Sequence, residues 1–325
     1  MKSGWFVIME SVKKLSTALH VAAVARNFKD AARAALRYPL DRIEWMRVAE
    51  GRRRITRTYR DVHGSPLNAE SARCFTGLLA IRMLEINRGG NALFTMLADK
   101  LAVRKYVAER VGESYLIPLL WQGVDPRQIP FDELTDTCII KTNHGSGGNI
   151  VWRAGMNRGV VVSKVSRWLR ENYYWKFREY HYFHIARRII VEQFLDDGND
   201  SGPFDYRFFC FGGEPILIQV DNNAHDIHPF YDVGWNRVSV RYRERFRDVD
   251  VGRPQNLDEM IGIARKLSTG LDFVRVDLYN VRGRIYFGEM TLTPMAGRVR
   301  IMPESWDRRL GDAWASARGE RRDRN

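Results

Sequence analysis

Two stretches late in the chain, DYRFFCFGGEPILIQVD (205–221) and FVRVDLYNVRGRIYFGEMT (273–291), each set apolar runs on both sides of a glycine turn. Strand-like runs joined by a two-residue turn form β-hairpins. Two hairpins separated by a helical stretch, expected over 256–268, point to an antiparallel sheet backed by helix. The turns are expected at Gly212-Gly213 and near Gly283. Within the second hairpin, Val274, Val276 and Leu278 fall on one face and Arg275 and Asp277 on the other. Past the turn, Phe287, Glu289 and Thr291 are expected to share a face, which puts Asp277 and Glu289 side by side on adjacent strands. Two carboxylates so placed repel each other. Either they lie on a solvated face, or a divalent cation such as Mg²⁺ neutralises them, with one or two carboxylates plus phosphate oxygens completing its shell.

The rest of the pattern is mixed. Residues 1–98 read mostly as helix, punctuated by Pro39, Gly64, Pro66 and Gly89-Gly90. MLADKLAVRKYVAERVG reads as one helix ending near Gly112. Short β-like runs follow at 115–121, 137–142, 149–153 and 187–195, interrupted by a helix expected over 159–175. Helical front, mixed middle and antiparallel end make the fold class α+β.

The stretch CIIKTNHGSGGNIVWR (138–153) places Lys141 at the end of an apolar run, then a glycine-rich loop, then a second apolar run. In the common phosphate loop the lysine follows the glycines and opens a helix. Here it precedes them and a strand follows, so the unit is strand-loop-strand. It is either a hairpin whose glycines supply positive φ, or a flap whose amide groups close over phosphates beside Lys141.

Charge narrows the partners. Of 325 residues, 52 are Lys or Arg and 39 Asp or Glu, a formal net charge of +13; only 10 of the cations are lysines. Basic runs at Arg52-Arg53-Arg54, Arg241–Arg247 and in the tail RGERRDRN suit a solvated face, an anionic membrane surface or a glycan. No RNA-binding aromatic motif, zinc-finger spacing or helix-turn-helix accompanies them, so no nucleic acid is expected. Cys74, Cys138 and Cys210 lie far apart in apolar runs, as reduced thiols of a cytoplasmic protein do. His181/His184 and His225/His228 have the spacing of metal pairs but lack a third ligand, and read as ordinary polar residues or substrate contacts. KKLSTALHVAAVA near the start faintly imitates a signal peptide, yet Val12, Leu15, Leu19 and Ala22 recur at helical spacing, and an amphipathic helix is expected.

The order of these features resembles the ATP-grasp superfamily. ADKLAVRKYVAERVGESYLIPLL, IIKTNHGSGGNIV and the two hairpins look like the TupA-like ATP-grasp family, linked to teichuronopeptide and surface-polysaccharide biosynthesis. The resemblance covers 99 to about 312 well and the first 98 residues loosely. It implies two α+β lobes enclosing ATP: a domain over 99–314, with a flap-bearing subdomain at about 115–191 and a metal-site lobe at about 192–314. A helical region (1–98) precedes it and a basic tail (315–325) follows.

Carried over by position, Lys100 and Lys141 would contact the nucleotide phosphates, under a flap of His144, Gly145, Ser146, Gly147 and Gly148. Glu192, Gln193, Phe194 and Leu195 would line the adenine, with Asp196 or Asp197 at the ribose and Arg207 near phosphate. Asp277 and Glu289 would hold Mg²⁺, and Arg275 would neutralise the transferring phosphoryl group. Many ATP-grasp enzymes have Asn two residues after the metal Glu, where this chain has Thr291. The implied reaction is ligation: a carboxylate takes the γ-phosphate of ATP and an amine displaces phosphate. Expected substrates are a uronic acid, peptide or nucleotide-sugar carboxylate and an amine. The alternatives are a kinase of a sugar hydroxyl, a glycosyltransferase, or a basic glycan-binding adaptor.

Overall fold

The computed structural model describes residues 43–68, 72–198, 202–222, 224–242 and 247–319. The chain divides into two compact units, Met1–Arg53 and Arg54–Asn325. The amphipathic helix expected around residues 12–22, most of the Arg241–Arg247 run and the end of the basic tail lie outside the described residues. Helix α1 spans Glu44–His63.

Both hairpins form. Strands β5 (Asp205–Phe211) and β6 (Glu214–Asp221) join through Gly212-Gly213. Strands β9 (Phe273–Val281) and β10 (Arg284–Thr291) join through Arg282-Gly283. All four turn residues have positive φ, from 51° to 92°, which is what a two-residue turn needs to match the strands' twist. With β7 (Phe230–Tyr231) and β8 (Arg237–Val238) they make an antiparallel sheet of order β10-β9-β5-β6-β7-β8.

Register shows what each face does. Phe211 pairs with Phe273, Phe209 with Arg275 and Arg207 with Asp277, so these six side chains share one face. At its aromatic end that face packs under α2 (Phe75–Gly89) and α8 (Glu304–Ala317), where Phe75, Leu78, Leu79, Leu310 and Trp314 are buried with Phe209, Phe211 and Phe273. At its other end it carries charge. Val274, Val276 and Leu278 occupy the opposite face with α7 (Leu257–Ser268), whose Leu257, Met260, Ala264 and Leu267 are fully buried. Arg275 and Asp277, only 6% and 2% exposed, therefore do not lie on a solvated face.

One expectation is corrected. Phe287 pairs with Leu278 while Glu289 pairs with Asp277, because a bulge at Gly288 sets two residues of β10 against one step of β9. Glu289 and Asp277 are direct partners, but Phe287 points to the other face.

The second sheet, of order β1-β4-β2-β3, comprises β1 (Leu119–Gly123), β2 (Cys138–Thr142), β3 (Asn149–Trp152) and β4 (Ile189–Gln193), antiparallel throughout. Helix α5 (Arg158–Arg170) buries Val161 and Val165 on it, among Cys138, Ile140, Ile150 and Trp152. The helix expected over 159–175 breaks after Arg170, and a short α6 (Tyr174–Phe177) restarts where the Asn172 side chain accepts from the Tyr174 amide at 3.1 Å. The helix expected to run to Gly112 is likewise two, α3 (Ala92–Ala98) and α4 (Val103–Val111), because Asp99 leaves helical geometry and its Oδ1 accepts from the amides of Leu101 (2.9 Å) and Ala102 (3.3 Å). The turn so made carries Lys100. No helix among the described residues is long and apolar enough to cross a membrane.

Candidate functional site

Lys100 joins the two sheets. Its amide donates to the carbonyl of Asn143, just past β2, at 3.1 Å, and its ammonium pairs with Glu289 Oε2 of β10 at 3.1 Å. Asn143 is fully buried. Its Nδ2 donates to Asp99 Oδ1 (2.8 Å) and the Ala186 carbonyl (2.9 Å), and its Oδ1 accepts from the Arg188 amide (2.7 Å). A buried amide with both donors and its acceptor satisfied is a rigid anchor. It lies inside the glycine-loop segment, although sequence gave it no role.

Around Glu289 the charged side chains interlock. Arg275 donates through Nε to Asp277 Oδ1 at 2.7 Å and through a terminal nitrogen to Thr291 Oγ1 at 3.0 Å. The Thr291 hydroxyl donates to Glu289 Oε1 at 3.1 Å, so it bridges Arg275 and Glu289. Arg207 pairs with Asp205 Oδ2 at 2.8 Å, lies 3.8 Å from Asp277 Oδ2 and contacts Asp221. His225 and His228 reach the same Asp221 at 3.1 and 3.4 Å, which gives the second histidine pair a structural partner. No cluster of three or more His, Cys, Asp or Glu among the described residues could hold a metal ion.

Burial separates the acids. It pushes Asp277 up to about 7, with the charges of Asp205 and Glu289 adding to it and Arg275 opposing. Burial also works against the charge on Glu289, but Lys100 and Arg275 prevail and hold it down to about 2. Asp205 is raised, first by burial, and its Oδ1 is a buried acceptor with no hydrogen-bond partner. The cluster thus has one acid oxygen, Asp205 Oδ1, that its own cations leave unsatisfied.

On the other sheet, Lys141 pairs with Glu192 Oε2 at 2.6 Å, and Arg104 of α4 approaches Oε1 at 3.3 Å. Lys141 and Glu192 meet because Ile139 stands opposite Glu192 in the β2–β4 ladder, which leaves Lys141 diagonal to it on the same face. Arg104, on the face of α4 turned to this strand, had no distinguishing sequence signal. Beyond Glu192, Gln193 is exposed. Leu195 packs with Ile117, Val281, Tyr286 and Tyr279, making an apolar wall shared by both sheets. Phe194 and Asp197 are half-buried, and Asp196 is exposed, its Oδ1 accepting from the Gly198 amide at 2.9 Å.

The glycine loop packs down on aromatic rings. A Cβ at Gly145 would come within 2.7 Å of the Tyr173 ring, Gly148 faces Trp168, and Gly147 has φ +80°. Ser146 hydrogen-bonds Tyr173. His144 turns inward with Nε2 at 3.2 Å from the Glu171 carbonyl, and burial lowers its pKa. Tyr173 stacks edge-on against Tyr182 at 4.9 Å, and both tyrosines feel the charges of Glu179 and Glu289. These rings connect the loop to the acidic end of β10.

The model of the TupA-like ATP-grasp family matches residues 78–315. The chain belongs to the TupA-like ATP-grasp family. The match begins inside α2 and takes in both sheets, so the α+β fold is that of the ATP-grasp class. Solved structures similar to it include the D-alanine–D-alanine ligase from Helicobacter pylori (12% identity, TM-score 0.44, 75% of this chain and 68% of that one). Another is the D-alanine–D-alanine ligase from Bacillus anthracis complexed with ATP (14%, TM-score 0.38, 61% and 54%). A third is the ATP-grasp ligase PsnB complexed with minimal precursor, Mg and ADP (14%, TM-score 0.36, 74% and 66%). The chain spans between half and two thirds of the length of the B. anthracis and PsnB chains. No curated protein matches it in sequence.

Proposed function

We propose that this protein is an ATP-dependent carboxylate–amine ligase that forms an amide through an acyl phosphate, acting on a uronic acid, peptide or nucleotide-sugar of surface-polysaccharide biosynthesis in the cytoplasm. The observation that carries the reading is Lys100, bonded to the base of the glycine loop on one sheet and paired with Glu289 on the other. In this reading the loop, Lys141 and the Asp277–Glu289 pair line one cleft.

In this reading ATP lies with its base against the Leu195 and Tyr286 wall and with Gln193 and Phe194 at the strand end. Lys141 exchanges its pairing with Glu192 for phosphate, Lys100 does the same from Glu289, and Ser146 and the loop amides cover the phosphates. Asp277, Glu289 and the Thr291 hydroxyl form an all-oxygen set that suits Mg²⁺, and the unpartnered Asp205 Oδ1 beside it favours an added cation. Bound Mg²⁺ would neutralise phosphate oxygens during transfer. Arg275 and Arg207, locked by Asp277, Asp205 and Asp221, hold fixed positive charge where the phosphoryl group departs. Preorganised charge of this kind lowers a barrier because nothing has to reorient during the reaction. The net positive charge suits an anionic sugar and an anionic glycan or membrane surface.

The test is product analysis. With ATP, Mg²⁺, glucuronate, galacturonate or UDP-glucuronate, and hydroxylamine, the wild type should release ADP and yield a hydroxamate. Glu289→Ala should abolish turnover while keeping the wild-type circular dichroism. Phosphate found on a sugar hydroxyl would replace this reading with a kinase. Sugar transfer without ATP would replace it with a glycosyltransferase, and failure to bind ATP with a glycan adaptor.

A further inference from the structure

The chain leaves β10 through Leu292 and Thr293 and enters a backward turn in which Met295, Ala296 and Gly297 all have positive φ, at 53°, 51° and 63°. Two successive non-glycine residues there are held against their preference, a condition found where surrounding structure enforces a functional geometry. Ala296 is buried against Ile55 and Met83, and its amide closes on the Thr293 carbonyl at 2.9 Å. The turn fixes Thr293, whose hydroxyl donates to Glu179 Oε1 at 2.6 Å.

Glu179 has no part in the handling of ATP described above. It is 8% exposed, and the side-chain hydrogen bond that holds it among the described residues is the one from Thr293. Around it stand Glu289, Arg298, Tyr182 and Tyr173. Burial pushes its carboxyl up to about 7; Thr293 opposes this, Glu289 adds to it and Arg298 offsets it. A carboxylate beside a second carboxylate favours a cation, which relieves their repulsion.

We propose that Glu179 takes the proton from the incoming substrate nitrogen, which arrives at the end of β10 as a primary ammonium group. The inference rests on the ligase reading and names the chemistry of its second substrate. One ammonium proton passes to the Glu179 carboxylate. The freed lone pair forms the C–N bond to the acyl carbon, and the C–O bond to phosphate breaks. The second nitrogen proton leaves with phosphate as hydrogen phosphate, and Glu179 returns its proton to water. Thr293 is a positioning residue that holds the carboxylate toward the site.

Hydroxylamine, uncharged at neutral pH, needs no such deprotonation before attack, whereas L-amino acids do. The experiment compares amide formation from a panel of L-amino acids with hydroxamate formation, using the three carboxylates named above. In Glu179→Gln the ratio of amide to hydroxamate rate should fall by about 10²-fold, the low end for a general base, and Glu179→Asp should restore part of it. A merely structural role would lower both rates together. If Glu179→Gln does not fold, Thr293→Val carries the same comparison, with a fall of about 10-fold expected. An unchanged ratio overturns the assignment of Glu179 and leaves the ligase standing, as does a wild type that makes hydroxamate and no amide. A wild type that makes no hydroxamate from any of the three carboxylates overturns the ligase reading, and the role of Glu179 falls with it.

Discussion

Gly288 is the residue on which the aim of Glu289 depends, and Gly288→Ala puts that to measurement. A Cβ at 288 would lie 3.0 Å from the Asp277 carbonyl oxygen, 3.2 Å from Tyr279 Cε2 and 3.5 Å from the Asp277 carbonyl carbon. The nearest atom is backbone in a central strand and cannot swing aside as a side chain would. Relief therefore means shifting the β9–β10 ladder by a few tenths of an ångström at Asp277 itself. Overpacking of this kind costs about 1–2 kcal/mol, which lowers the melting temperature by roughly 2–4 °C in a unit of this size. Misplacement of about 1 Å in a catalytic constellation costs on the order of 100-fold, so this smaller shift should reduce Mg²⁺-dependent ATP turnover by about 10-fold. Gly262 in α7 is the control. Nothing lies within 4 Å of its added Cβ, and Gly262→Ala should stabilise by about 0.5–1 kcal/mol. Calorimetry and a coupled ADP assay on the two variants decide the matter. If Gly288→Ala melts and turns over like wild type, the bulge does not set the geometry of Glu289.

Lys141→Ala should weaken ATP binding by roughly 2–4 kcal/mol and barely change the unfolding midpoint, because Arg104 still neutralises Glu192; isothermal titration that finds wild-type affinity would remove Lys141 from the nucleotide site. Asp272 is held down to about 2: burial opposes its charge, but Arg82, Trp314 and Arg318 outweigh it. A depressed carboxyl stabilises the fold above its unfolded value, and that stability is lost as pH falls toward the folded value. The stability advantage of wild type over Asp272→Asn, read by urea unfolding, should therefore shrink by roughly 2 kcal/mol between about pH 5 and pH 2; a constant difference would refute the linkage.

The hairpins were legible because strand period and two-residue turns are local properties. The pairing of Asp277 with Glu289 depends on the bulge at Gly288: counted from the Arg282-Gly283 turn alone, Asp277 would face Gly288 and Glu289 would face Val276. Neither that step nor the facing of Phe287 is a local property, because alternation holds only while the ladder stays in step, and Gly288 inside a strand was the single local sign of a bulge. The breaks at Asp99 and Asn172 were hidden for a related reason. Each is made by a side chain bonding the backbone two residues on, which competes with helix wherever tertiary packing favours the turn. Arg104, Asn143 and Glu179 could not be found from sequence. Their partners stand 88, 44 and 114 positions away, and only the folded chain brings them into reach.

The filled hydrogen-bond set of Asn143 has a mechanical consequence. Its side chain clamps the Asp99 turn, the approach to β4 and the root of the glycine loop at one point, so none of the three can move without the others. Bending of the loop must begin beyond residue 143. The backbone of Lys100, tied to the clamp, and Lys141, just before it, are therefore held at a set separation. In the proposed reading the span between these two cations is fixed before ATP arrives, as the gap of a caliper is fixed by its set screw, and closure of the loop would change only what covers it.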